Sequence, residues 1–470
     1  MKNYKIYPVI LTLLIAGIFP VKLSSQILLP TSINNNTILA KTDSFYYTLS
    51  TISVSSTGSL TVEKGVEVRF AGGTGISVSG SLIVNGTTDE MVKFVSVDTS
   101  SKWSYISASS ANIQLNGLFV SNATRFLSAS YGDVYINNCH VENTFGQTGD
   151  DCIGAHYCNS FAFTNSFLDG SLRNYKIDAI DCDEITGGII RGNIIQNFID
   201  DGVDFGTNSV DAIVENNYIY NCNMGISIGE NTTAILKRNI IVECDAGIQS
   251  HTGSNVTAYN NTLYKNDIGV ECYHGTVSNS AGNLTINSCI VSGSTNETYS
   301  LQEESIFTSF FSISDTDTLP GVSNLFGDPF MVNPDNNNFH LSDSSVCIDH
   351  GDPSLPKDSA GNNIDIGAFE YGSADTGLIP TDTTNHTFVQ IKSDNDNFYI
   401  YPNPASGKIY INKLNEQVSY RIISTEGKLM LYGILYKENP LININGLSKG
   451  YYLIILYSDK ILLNELLLVQ

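Results

Sequence analysis

The chain has 470 residues, room for two or three domains with a full core. Apolar residues make up 42% and mean hydropathy is -0.01, which excludes both a disordered chain and a polytopic membrane protein. The balance of 47 Asp and Glu against 24 Lys and Arg, net charge -23, repels phosphate backbones and excludes nucleic acid as a partner. Charged residues are only 15% of the chain, so Asn, Ser, Thr and Gly supply the polar surface, as in extracellular β-rich proteins.

Residues 1–25 read as an export signal. Lys2 and Lys5 form a basic start, Pro8 to Val21 is an apolar stretch of h-region length, and Ser24-Ser25-Gln26 supplies small residues for cleavage. The stretch is shorter than the roughly 20 residues a helical span needs, and the mature chain is expected to start near Gln26 without a membrane span.

Between Asp150 and His274 the sequence repeats. A small residue followed by an apolar one recurs at Cys152-Ile153, Ala179-Ile180, Gly202-Val203, Gly225-Ile226, Gly247-Ile248 and Gly269-Val270, with steps of 27, 23, 23, 22 and 22 residues. A second register of Asn165, Asn193, Asn217, Asn239 and Asn261 drifts with the first. Each unit holds short runs of period-2 alternation separated by Gly, Asn and Asp, and helical periodicity is absent. Stacked units of about 22 residues built from short strands make a parallel β-helix, whose coils rise by about 4.8 Å. The fold class is therefore all-β: a right-handed solenoid over residues 26–372 with roughly a dozen coils, a linker over 373–397, and a smaller β domain over 398–470.

The stacking predicts what several residues do. Ile153, Ile180, Val203, Ile226, Ile248 and Val270 point inward as a core ladder. The Asn register occupies left-handed or tight turns, with amides bonding along the stack. Cys222 and Cys244 fall on neighbouring rungs within the reach of a disulfide, and Cys182 and Cys272 are buried thiols.

Upstream, Ser59–Phe70, Ile76–Gly86 and Val92–Val95 alternate as opening coils. With Trp103 they resemble the start of secreted bacterial right-handed β-helix proteins of the pectate-lyase-like class. Gly327–Phe330, Phe339–Asp343 and Asp365–Tyr371 resemble the closing coils of the same class. The final segment, with Tyr401-Pro-Asn-Pro404 and Gly450-Tyr-Tyr452, resembles the C-terminal sorting domain of the type IX secretion system, which implies an Ig-like sandwich that engages the secretion machinery. The resemblance implies a bacterial protein secreted or held at the outer-membrane surface. The ending lacks the usual final basic residue of that family.

Strand alternation places one row outward just after the core ladder: Gly154, Asp181, Asp204, Ser227, Gln249 and Glu271. A second outward row holds His156, Asp183, Gly206, Gly229, His251 and Tyr273. Asp178 and Asp201 precede the strands, with Asp150, Asp151 and Asp200 beside them. Like charges so close raise one another's pKa or recruit a cation. Asp181, Asp183, Asp204 and His156 are the candidate catalytic groups, for glycoside hydrolysis or for elimination with Arg173, Lys176 or Arg191 as base. Asp178, Asp201, Ser227, Gln249, His251, Glu271 and Tyr273 are the candidate substrate contacts, and Asp150, Asp151 and Asp200 the candidate Ca²⁺ ligands. Gly149-Asp-Asp-Cys-Ile153 resembles the double-aspartate motif of polygalacturonases, but that family's Arg-Ile-Lys is absent. The expected function is binding, with or without cleavage, of an extracellular polysaccharide. The rival is a non-catalytic structural or adhesin-like surface protein.

Overall fold

The computed structural model describes residues 26–373 apart from 99, 145, 147–150, 171–175, 276–279, 303 and 359, and residues 400–469 apart from 402–404, 406, 412–416, 425–428, 438–439 and 458–461. The export signal, most of the linker, Asp150 and Arg173 lie outside the described residues.

Three parallel sheets of 12, 13 and 14 strands run side by side along the chain up to Phe326, counted over the described residues. Each coil gives one strand to each sheet in turn, as Ile180–Asp183, Ile189–Arg191 and Ile194–Gln196 do. The strands are short because a Gly, Asn or similar residue in left-handed backbone turns the chain at each corner. Ile153, Ile180, Val203, Ile226, Ile248 and Val270 are all fully buried and stack in register. One continuous apolar core therefore fills the coil from Leu29 to Leu319. Trp103 fills a wide early coil, stacked on Phe70 at 4.6 Å with its indole N–H donated to the Ser121 carbonyl at 3.0 Å.

Two sequence expectations change and two are refined. The solenoid opens before Ser59, with strands Ile27–Leu28, Ser32–Ile33, Asn36–Leu39 and Tyr46–Thr48, several too short for alternation to show. The Asn register does not lie in the left-handed turns: Asn193, Asn217, Asn239 and Asn261 are buried without a positive φ, and only its first member is left-handed. Asn165 has a φ of 48° and aligns with Gly192, Asn216, Arg238 and Asn260, the left-handed column. The buried column beside it is Cys139, Ser166, Asn193, Asn217, Asn239, Asn261 and Cys289. Each of the three amides at 193, 217 and 239 donates to the next Oδ1 at 2.9 Å. This satisfies polar groups that would otherwise lie unpaired in the core corner.

Third, residues 327–373 do not close the solenoid as coils. They fold back over the outer face of the 14-stranded sheet, where Phe339, Ala368 and Phe369 cover Tyr218, Ile240 and Val242. Further along, Leu341, Cys347 and Ile366 cover Ile290 and Ile313. Apolar residues at two successive strand positions reveal the cover, since Ile241 points into the core while Ile240 points under the flap. Fourth, Cys222 and Cys244 sit on neighbouring rungs as predicted, but both are thiols, each donating to a carbonyl two residues back at 3.6 Å.

The C-terminal unit is separate. Among its described residues it has a three-stranded and a four-stranded antiparallel sheet, the latter built from Val418–Ser424, Leu429–Leu435, Gly450–Tyr457 and Leu462–Val469. Ile409, Ile422, Ile442, Ile454 and Leu467 form its core.

Candidate functional site

The 12-stranded sheet carries the predicted residues. Its register sets Gly154 beside Asp181, Asp181 beside Asp204, Asp204 beside Ser227, and then Gln249 and Glu271 in one row. His156 stands beside Asp183, and His251 beside Tyr273, in the second row. A third row comes from the turns entering the sheet. There the backbone N–H of Cys152, Ala179 and Gly202 reaches the carbonyls of Asp178, Asp201 and Met224, so Asp151, Asp178 and Asp201 stack one coil apart. The result is a grid of acids across three rungs, about 4.8 Å apart.

The grid is not the open outward patch that alternation alone implies. Asp201 retains only 9% exposure and Ser227 only 2%. Burial is accordingly the first cause of the pKa shifts, with neighbouring charge second. It pushes Asp178 up to about 7 and Asp181 and Asp201 up to about 8. Asp204 is raised well above the usual carboxylate range for the same reason. Asp151 is raised by burial as well, opposed by the His156 charge and by a hydrogen bond with Asp181. Ligand atoms of Asp151, His156 and Asp181 lie within 4.8 Å of one another, so the two carboxyls and the imidazole interact directly.

His156 donates from Nδ1 to Asp183 at 3.1 Å, and its Nε2 lies 3.7 Å from Asp181. The bond to Asp183 raises its pKa. Asp201 N–H donates to Asp178 Oδ1 at 2.8 Å, which ties two rungs of the acid column together. Of the three basic residues considered as proton acceptors, Lys176 pairs with Asp200 at 3.0 Å on the rim. Arg191 pairs with Glu215 on the 13-stranded sheet, away from the groove.

Beyond the aspartates the row continues with polar side chains and Glu271. Gln249 donates to Glu271 at 2.7 Å and accepts from Tyr273 Oη at 3.3 Å. His251 stacks on Tyr273 with centroids 4.8 Å apart. Its Nδ1 is 2.8 Å from Thr252 Oγ1 and its Nε2 is 3.4 Å from Ser227 Oγ. Burial lowers the His251 pKa, so its imidazole is neutral at pH 7. Glycine makes room for these side chains. A Cβ at Gly229 would lie 2.3 Å from His251 Cε1, and one at Gly206 would lie 2.7 Å from Asp183 Oδ1.

The donor set suits a hard cation. Carboxylate oxygens of Asp178, Asp181 and Asp204 lie within 4.8 Å of one another, as do those of Asp178, Asp200 and Asp201. Asp151, His156 and Asp181 form a third such trio with one nitrogen ligand. Ca²⁺ takes six to eight oxygens at 2.3–2.6 Å, which matches all-carboxylate trios of this span. The Oδ1 atoms of Asp201 and Asp204 are buried without a hydrogen-bond partner in the described structure. Unpaired acceptors of that kind are costly in a dry site and are relieved by a proton or a cation.

Residues 132–308 match the family model described as right handed beta helix region. Residues 399–470 match the model described as secretion system C-terminal sorting domain. This is a right-handed parallel β-helix protein with a type IX secretion sorting tail. The tail marks the β-helix protein as secreted or cell-surface and bacterial, and as a client of the secretion machinery. No described helix is long and apolar enough to cross a membrane. A crystal structure titled pectate lyase Pel9A is similar, with 15% sequence identity, a TM-score of 0.36, and coverage of 74% of this chain and 88% of that one. No curated protein matches the chain.

Two functional features escaped the sequence reading. The closeness of Asp151 to Asp181, within 4.8 Å and beside His156, is one that no spacing reveals. The exposed tyrosines Tyr131 and Tyr157 lie in a turn column that the two chosen registers do not include, although their 26-residue separation is itself a repeat step.

Proposed function

We propose that the groove of the 12-stranded sheet binds an acidic extracellular polysaccharide through a divalent cation, with Ca²⁺ the ion of choice. The carrying observation is the set of three in-register aspartate pairs, Asp151–Asp178–Asp201 beside Asp181–Asp204, with buried unpartnered oxygens on Asp201 and Asp204. Asp178, Asp181, Asp204, Asp200 and Asp201 would hold the ion. A bound divalent cation supplies a bridge between protein carboxylates and sugar carboxylates. The polar continuation of Ser227, Gln249, His251, Glu271 and Tyr273 offers hydroxyl, amide and imidazole groups suited to sugar hydroxyls.

Calorimetric titration of the chelator-treated protein with Ca²⁺, then with polygalacturonate or alginate in its presence, tests the reading. Saturable Ca²⁺ binding that is lost in Asp204→Asn, together with Ca²⁺-dependent polymer binding, is the expected result. Failure to bind both ion and polymer returns the protein to the structural, adhesin-like class.

One observation favours cleavage in addition to binding. His251 Nδ1 lies 2.8 Å from Thr252 Oγ1, and the neutral tautomer that donates its proton there presents Nε2 as an acceptor beside Ser227. A residue so arranged can take a proton from a bound sugar. Absorbance at 235 nm during incubation with uronate polymers separates elimination from simple binding, and loss of that signal in His251→Ala assigns the base.

A further inference from the structure

At the corner where the 12-stranded sheet turns into the 13-stranded sheet, successive coils place one or two residues in left-handed backbone. From Ser110 onward the column reads Ser110, Tyr131, Tyr157, Glu184, Thr207, Glu230 and Thr252, with φ between 27° and 57°. The turn itself does not call for an aromatic, since a serine, glutamates and threonines serve it equally. Tyr131 and Tyr157 nonetheless occupy adjacent rungs at φ 57° and 56°, a conformation that costs a bulky residue more than it costs Gly or Asn. Their rings stack face to face, centroids 5.1 Å apart and planes 11° from parallel. Even so stacked, Tyr131 is 56% exposed and Tyr157 44% exposed.

The stack is asymmetric. Tyr157 covers one face of Tyr131 and faces Glu184 on its other side. On the rung before Tyr131 the same corner holds Ser110, aligned by the Ser109–Ser130 register, and its side chain is too small to cover a phenol. The second face of Tyr131 is thus a flat, electron-rich shelf, flanked by the exposed hydroxyls of Ser109 and Ser110. Tyr157 directly follows His156, which holds Asp183 at 3.1 Å, so the shelf continues the wall of the acidic groove. From Tyr131 to the rung of Asp181 is two coil steps, about 10 Å along the axis.

We propose that Tyr131, supported by Tyr157, is a sugar-stacking subsite that receives a pyranose ring of the same polysaccharide, so that the polymer lies along the helix axis from Tyr131 toward the acids. The proposal rests on the reading of the groove as a polysaccharide site and adds a contact that no cation provides. The C–H face of a pyranose packs on an aromatic face, and a rigid tyrosine presents that face at little entropic cost. The subsite recognises ring shape rather than charge, and it makes affinity depend on oligosaccharide length.

The test is calorimetry of the full-length protein with Ca²⁺ and oligogalacturonides of increasing length. In the wild type, affinity rises with length until the chain spans groove and shelf. Tyr131→Ala should weaken the longest oligomers about tenfold, equivalent to about 1.4 kcal/mol, and leave the shortest unchanged. Its Ca²⁺ affinity and melting temperature should match the wild type, because the side chain is exposed. Tyr131→Trp, with a larger face, should keep or tighten long-oligomer binding, which a mere folding defect would not. Unchanged length dependence in Tyr131→Ala, with binding still abolished in Asp204→Asn, overturns the subsite and leaves the groove reading intact. A wild type that binds Ca²⁺ but no oligomer overturns the polysaccharide reading, and the subsite falls with it.

Discussion

Replacing Asp178 by Asn is the sharpest probe of the buried acid grid. The amide keeps the shape of the carboxyl, and its oxygen can still accept the Asp201 N–H that Asp178 Oδ1 receives at 2.8 Å. What it removes is an ionisable group whose folded pKa is about 7, raised by burial from 3.8. Because this carboxyl is raised rather than depressed in the folded state, the unfolded chain binds fewer protons between about pH 4 and pH 7, and stability falls as pH climbs through that window. A pKa of about 7 in place of 3.8 corresponds to roughly 4 kcal/mol above pH 7, an upper figure because a relaxing site admits water. Asp178→Asn should therefore melt close to the wild type at pH 4 and several degrees higher at pH 8, both in chelator. Added Ca²⁺ should narrow the gap by stabilising only the wild type. The assay is thermal denaturation followed by circular dichroism across pH, with the β-helix transition read separately from that of the C-terminal unit. A variant that melts no higher at pH 8 than at pH 4, relative to the wild type, refutes the argument that burial makes the charged acid unfavourable.

Three further outcomes are expected. Ca²⁺ binding must displace protons from Asp178, Asp181 and Asp201, so affinity should rise between pH 6 and pH 8, and calorimetry in buffers of different ionisation enthalpy should detect proton release. Asn239→Ala would strip the Asn217 N–H and amide of the acceptor they reach at 3.1 and 2.9 Å, leaving buried donors unpaired. The loss should be about 2–4 kcal/mol by denaturant titration, because two donors lose their partner at once. Gly229→Ala should push the His251 ring off its position over the glycine and abolish any 235 nm signal, while the Ca²⁺ response at the acids persists.

Much of this protein was legible in its amino acids because a solenoid is nearly one-dimensional. A step of 22 or 23 residues sets Asp181 beside Asp204 and Ile226 beside Ile248 whatever the rest of the chain does. Period-2 alternation then separates the core ladder from the acidic rows, so the fold and the membership of the groove follow from spacing alone. Spacing is blind to what turns do once they pack. The raised pKa values of Asp178, Asp181, Asp201 and Asp204 come from their burial, and the closeness of Asp151 to Asp181 from how successive coils pack. Spacing puts all five Asn of the register in left-handed or tight turns, because such a corner and the buried amide ladder one residue beyond it both favour Asn. Residues 327–373 resemble closing coils through three short motifs, and only the apolar outer face formed by Tyr218, Ile240 and Ile290 decides that they cover the solenoid instead of extending it. Local period determines which residues are neighbours along the axis. Burial, and with it charge state and chemistry, is decided by segments distant in sequence that close over them.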